Sequence, residues 1–147
     1  MTSVARLLFF TLLLSSFVAC SNVSDSYSFQ GEAYGTTWQI KFFDDQDLLD
    51  KDELEGKVKE ELARIDSIFS LYDEDSTISK INKNKILSWN NLPGYEDFKE
   101  LSKISNEVVN DSSGSYEVFL NGKWDFNSIA KGYAVDRLCD ILESYNI

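Results

Sequence analysis

The run Asp125-Phe126-Asn127-Ser128-Ile129-Ala130-Lys131-Gly132 gathers groups that could hold a phosphate and its metal. An acidic side chain and a short polar turn lead into a Lys-Gly pair opening an amphipathic helix. Helix N-termini expose unpaired N–H groups and a partial positive charge, so they suit anions, and Lys131 adds a point charge. The run continues as Tyr133-Ala134-Val135-Asp136. Each residue also has a plainer reading by itself. Asp125 suits a cap or turn, Ser128 a helix N-cap and Lys131 a solvated helix face. Asp136 and Arg137 read as surface charges of little energetic weight.

Composition narrows the chemistry. The 147 residues include no His, which removes Ser-His and Cys-His nucleophilic catalysis and most zinc chemistry. Acid–base or metal work must rest on carboxylates, hydroxyls, Lys and backbone oxygens, which suit hard Mg2+ or Ca2+. Asp44, Asp45, Asp47 and Asp50 lack EF-hand spacing and read as a solvated loop. A formal net charge of −11 argues against nucleic-acid binding, because phosphate backbones require basic patches. Of the two cysteines, Cys139 lies among apolar helix residues and reads as a buried structural thiol.

These groups need elements to position them. The length allows one modest core, and 14% aromatic content with a single Pro argues against disorder. Phe29 to Phe43 alternates, with Trp38, Ile40 and Phe42 on one face and Gln39 and Lys41 on the other, as a strand of a hairpin or meander does. Gly35 within it suggests a bulge or a place where backbone meets ligand. Asp50-Lys51-Asp52-Glu53 has the form of a capping box opening a helix to about Phe69, carried by Leu54, Val58, Leu62 and Ile65. Ser70 to Asn84 is polar and turn-rich. Pro93-Gly94 opens a second helix, carried by Phe98, Leu101, Ile104 and Val108 and broken over Asn110 to Gly114. A short strand over Ser115 to Leu120, a tight Asn121-Gly122 turn and a returning strand over Lys123 to Phe126 follow. The last helix runs from about Ser128 to Tyr145, with Leu138, Ile141, Leu142 and Tyr145 inward. This order predicts an α+β fold, a mixed sheet with amphipathic helices.

The N-terminus has its own logic. Arg6 precedes an apolar run, Leu7 to Val18, that is too short to span a bilayer. It ends in Phe17-Val18-Ala19-Cys20 and a polar stretch. Residues 1–19 resemble a lipoprotein signal peptide, with Cys20 the lipidated first residue and 20–28 a polar tether. The alternative is an ordinary secretory signal with an incidental Cys. On either reading the rest of the chain, 29–147, is exported; on the first it is lipid-anchored on the periplasmic side of a bacterial cell membrane.

Several stretches resemble, in order, the FAD:protein FMN transferases of the ApbE family. Gly31-Glu32-Ala33-Tyr34-Gly35-Thr36-Thr37-Trp38 is similar to that family's opening strand. Ile65-Asp66-Ser67-Ile68-Phe69-Ser70-Leu71-Tyr72, followed by Ser76, Ile78 and Asn82, resembles its helix-then-loop signature. Ser113-Gly114-Ser115-Tyr116-Glu117 resembles its Gly-Ala-Phe-Asp segment, and Asp125 to Asp136 its Lys-Gly-Tyr-Ala-Val-Asp signature.

The resemblance implies transfer of FMN from FAD, with Mg2+, onto a Thr or Ser hydroxyl of an exported acceptor protein. It implies FAD contacts at Tyr34, Tyr72, Ser115, Tyr116, Glu117, Asp125 and Lys131, and a metal ligand at Ser128. Pyrophosphate cleavage is phosphoryl transfer, helped mainly by positioning and by neutralising charge. Lys131 fits that need, Ser128 can offer hydroxyl and carbonyl oxygens to Mg2+, and Tyr72 can stack on a ring. Without the resemblance, Tyr72 and Tyr116 read as packing aromatics. The family pattern has a longer stretch between Glu117 and Trp124 and continues past the position of Ile147. The expectation is therefore a partial, internally shortened flavin-transferase-like domain. The alternative is a non-enzymatic envelope lipoprotein that binds flavin or a protein partner.

Overall fold

The computed structural model describes residues 26–44, 49–83 and 92–147. The signal-peptide reading of 1–19 and the lipidation of Cys20 fall outside these residues. Strands β1 (Ser26–Ala33) and β2 (Thr36–Phe43) form an antiparallel hairpin, in register from Ser26 opposite Phe43 to Ala33 opposite Thr36. The alternation read from sequence holds: Phe42 is buried, Trp38 and Ile40 are half-buried, and Gln39 and Lys41 are exposed. Phe29 joins Phe42 with ring centroids 5.3 Å apart. Ser26 to Ser28, read as the end of a tether, pair with Phe43, Phe42 and Lys41 instead. Gly35 sits not in a bulge but in the turn. Tyr34 and Gly35 have φ of 54° and 66°, the two positive values of a type I′ hairpin turn.

Helix α1 (Lys51–Phe69) opens where the capping signal lies, with Asp50 accepting from the Glu53 N–H at 3.0 Å. Its apolar stripe Leu54, Val58, Leu62, Ile65, Ile68 and Phe69 is buried. A short helix, α2 (Thr77–Asn82), interrupts the stretch read as turns. Buried Ser76 caps it, donating to the Ser70 carbonyl at 2.6 Å and accepting from the Ser79 N–H at 3.1 Å. Helix α3 (Tyr95–Asp111) starts at Gly94, whose φ of 77° and closeness to Ile68 exclude a side chain. Its buried positions are Leu101 and Ser105, with Ile104 and Val108 half-buried. The strand expected over Ser115 to Leu120 shrinks to β3 (Phe119–Leu120), which pairs with β4 (Lys123–Trp124) across Asn121-Gly122. Helix α4 (Asn127–Ser144) closes the fold.

The class is α+β with amphipathic helices, and both strand pairs among the described residues are antiparallel. Burial centres on Phe126. Its ring lies 5.6 Å from Phe69, 5.3 Å from Phe98 and 5.7 Å from Trp124. Rings at these separations add to area burial with about 0.5–1.5 kcal/mol per pair. The thiol of Cys139 is exposed, not buried. Helix α4 turns Leu138 inward, and the next residue in sequence lies about 100° round the helix, toward solvent. Among the described residues no helix is long and apolar enough to cross a membrane.

Two polar joints fix the elements that flank the core. The Asn82 side chain receives the Trp124 N–H and donates to the Trp124 carbonyl, both at 2.8 Å, taking the place of a neighbouring strand beside β4. Arg64 on α1 makes paired bonds to Glu61 and to Asp97 on α3, at 2.7–2.9 Å. Tyr133 on α4 donates to the same Asp97 at 2.8 Å. Burial pushes the Asp97 carboxyl upward, but the bonds from Arg64 and Tyr133 outweigh it and hold its pKa below the ordinary value. Arg64 likewise holds Glu61 low, against burial.

Candidate functional site

A cavity of about 360 Å3 opens between the β1–β2 turn, the C-terminal end of α1 and the first turn of α4. Tyr34 and Gly35 form its wall on the hairpin side. Asp66, Phe69, Ser70 and Tyr72 contribute from α1 and the loop behind it, and Asn127, Ala130 and Lys131 from α4. Folding therefore brings together three residues singled out in the sequence, Tyr34, Tyr72 and Lys131, which are nearly a hundred positions apart at the extremes.

Tyr34 occupies left-handed backbone, where a bulky residue is strained. Its hydroxyl donates to the Leu62 carbonyl at 3.0 Å, which pins the ring against α1. Burial, and then the charges of Asp66 and Glu61, push its phenol well above the ordinary range, so it stays a neutral donor. Tyr72 is the opposite case. It is 87% exposed, so the packing reading fails and an aromatic face stands free at the cavity rim.

The start of α4 presents the groups expected of an anion site. Its N-terminal residue, Asn127, lines the cavity together with Lys131. Asp125 accepts from the Asn127 N–H at 2.9 Å, the turn-forming role open to it from sequence; the helix itself is capped at Phe126 without a side-chain bond. Asp66 and Asn127 also line the cavity, and neither is among the contacts the family resemblance implies. Asp66 stands three residues before Phe69 and six before Tyr72 in the segment with family resemblance, the one signal that could have marked it. Burial and the nearby Asp73 raise its pKa.

The other expected site residues lie apart from the cavity wall. Ser128 donates through its hydroxyl to the Tyr116 hydroxyl at 2.9 Å, which pairs two of them beside the start of α4. Ser115 and Glu117 are exposed in the segment before β3, and Asp125 is exposed in the turn before α4. For Mg2+ the fit is poor. Ser128 is a single expected ligand, its hydroxyl is bonded to Tyr116, and no group of three or more acidic, Cys or His side chains suited to a metal occurs among the described residues. Octahedral Mg2+ held by one protein oxygen would keep mostly water.

Comparison with known proteins places this geometry. The profile described as the ApbE family matches residues 34–124. The fold is similar to the flavin transferase ApbE from Vibrio cholerae, at 16% identity and a TM-score of 0.67, over 82% of this chain and 54% of that one. An H257G mutant of the same Vibrio cholerae protein gives 18% identity and a TM-score of 0.70, over 82% and 57%. The apo form of the Pseudomonas stutzeri flavinyl transferase ApbE gives 22% and 0.69, over 82% and 56%. The chain thus spans somewhat over half the length of these solved structures. No protein of curated function matches it.

Proposed function

The chain belongs to the ApbE family, and from that premise we propose that it binds FAD and serves in FAD:protein FMN transfer, delivering FMN to a Thr or Ser hydroxyl of an exported acceptor protein. The observation that carries the reading is the cavity, where an exposed aromatic face, a lysine and the first turn of an 18-residue helix meet. A dinucleotide needs those features: a surface for a planar ring and a cationic, N–H-rich place for two phosphates. Tyr72 receives a ring, while Lys131 and the start of α4 receive the pyrophosphate. Asp125 acts at one remove by fixing the first turn of α4. Tyr116 and Ser128 form the shoulder of the same helix start.

Mg2+ belongs to the proposal only as the family's implied partner, because the described residues do not assemble its ligands. Anchoring through lipid on Cys20, on the periplasmic side of a bacterial membrane, completes the reading and rests on the sequence of the first 20 residues. It places the chain beside exported acceptors.

The test is quenching of FAD fluorescence by the purified chain, with and without Mg2+, followed by transfer onto a Thr-bearing acceptor peptide. Saturable binding together with labelled acceptor supports the full reading. Binding without labelling under any metal condition favours the second reading, a flavin-binding envelope lipoprotein without transferase activity. That reading draws on the poor metal fit among the described residues. Absence of FAD binding by folded protein overturns both.

A further inference from the structure

A second cavity, of about 290 Å3, lies against the same helix and holds none of the FAD or metal contacts implied by the family resemblance. Trp38 of β2 forms one wall, Leu62 and Ala63 of α1 form another, and Glu32 and Lys59 stand at it as charged groups. Gly31 matters here because of space: a Cβ at that position would come within 2.8 Å of the Trp38 ring. The bare backbone lets the indole close over the strand beside the cavity.

The two cavities share one residue, Asp66. Its carboxylate is half-buried and accepts no hydrogen bond from the described residues. Its oxygens remain within reach of water, and a ligand N–H or O–H group in either cavity would take the place of that water. Each cavity is close to the lower size of a small-molecule site, about 300–1,000 Å3, and together they suit a ligand with two ring systems.

We propose that the Trp38 cavity is a second compartment of the same site, taking one ring system of a dinucleotide, with Asp66 in the shared wall accepting from the ligand's N–H or hydroxyl groups. This rests on the FAD-binding reading above. The ring stacks against Trp38, the linker passes Asp66, and the other half lies along Tyr72 and Lys131. Asp66 is then a specificity-determining contact: it favours ligands that carry donors at that point and disfavours an anion there.

The test compares FAD, FMN and ADP binding by titration calorimetry on the full chain and on Ala63→Phe and Asp66→Asn. Ala63 is an exposed helix residue that lines the second cavity alone, so a phenyl ring there fills the compartment without touching the first. The expected result is a loss of FAD affinity of about tenfold or more in Ala63→Phe, a steric and contact loss of about 1.4 kcal/mol. One of the two halves, FMN or ADP, should bind Ala63→Phe as it binds the unaltered chain. Asp66→Asn should weaken FAD by about tenfold, as expected for loss of a hydrogen bond to a charged acceptor. Thermal melts no lower than that of the unaltered chain confirm that both variants are folded. FAD affinity within twofold in both folded variants overturns the second compartment while leaving FAD binding intact. Equal loss of FAD, FMN and ADP in Ala63→Phe overturns it too, since no separate compartment exists. If the unaltered chain binds no FAD, the parent reading falls and this one falls with it.

Discussion

Asn82→Ala should be among the most costly single changes outside the apolar core. Asn82 satisfies both the N–H and the carbonyl of Trp124, each at 2.8 Å, across 42 residues of sequence. Trp124 is half-buried, its ring 5.3 Å from Phe98 and 5.7 Å from Phe126. An alanine cannot replace either bond, and only limited water can reach the orphaned backbone. Two lost bonds at about 1 kcal/mol each, with partial penalties for leaving polar groups unmatched, give about 2–4 kcal/mol. With a urea slope of about 2 kcal/mol per molar, the midpoint falls by about 1–2 M. The assay is urea unfolding at pH 7, followed by circular dichroism.

Asn82→Asp sharpens the test. The aspartate keeps an acceptor for the Trp124 N–H but faces the Trp124 carbonyl with an ionised oxygen, so at pH 7 it should be at least as damaging. Its folded pKa is raised, so the penalty exists above that pKa and disappears as pH falls below the unfolded value of about 3.9. Relative to the unaltered chain, Asn82→Asp should therefore recover toward pH 4, while Asn82→Ala should not. A stability change in Asn82→Ala within about 0.5 kcal/mol, the range of neutral surface changes, would refute the reasoning. So would parallel pH profiles for the two variants.

Further outcomes follow from other joints. Arg64→Met should cost about 2 kcal/mol, between exposed and buried pairs, since the Arg64 side chain is 39% exposed while its partner Asp97 is 12% exposed. Because the folded pKa values of Glu61 and Asp97 are depressed, that stabilisation is complete above the unfolded carboxylate range and is lost as pH falls through the folded values. The gap between the variant and the unaltered chain should therefore close below about pH 4 in thermal melts. Gly94→Ala should cost about 2–4 kcal/mol in urea unfolding, from left-handed backbone and a Cβ 2.5 Å from the Ile68 Cδ1. Lys131→Gln should weaken FAD about tenfold by fluorescence titration and leave riboflavin, which has no phosphate, unchanged.

What could be read from the sequence divides along physical lines. Helix α1 was legible because its cap, its apolar spacing and its end coincide, and the turn at Asn121-Gly122 because few residues accept two positive φ values. Helix α2 was not, since six residues show no periodicity and its support is the buried Ser76 and Ser79 hydroxyls on the Ser70 carbonyl. Ser105 took a buried place on α3 because a serine is small enough for the packed face, and its hydroxyl has no partner among the described residues. At the site, resemblance singled out Tyr34, Tyr72 and Lys131, and the fold brings the three to one cavity. Asp66 required the third dimension, because only the approach of the hairpin to α1 turns an ordinary helix carboxylate into a cavity wall.

The Tyr34–Gly35 turn limits how this molecule can adapt. Glycine or asparagine at position 34 would relax the left-handed backbone, but either would remove the ring that walls the cavity and reaches the Leu62 carbonyl. An aromatic replacement keeps the wall and keeps the strain, about 1–3 kcal/mol. Robustness and ligand capacity are thus tied in opposite senses to one side chain. Selection for heat tolerance alone would drift toward a sturdier hairpin with an open, empty pocket, and selection for binding would hold the chain below the stability its backbone allows.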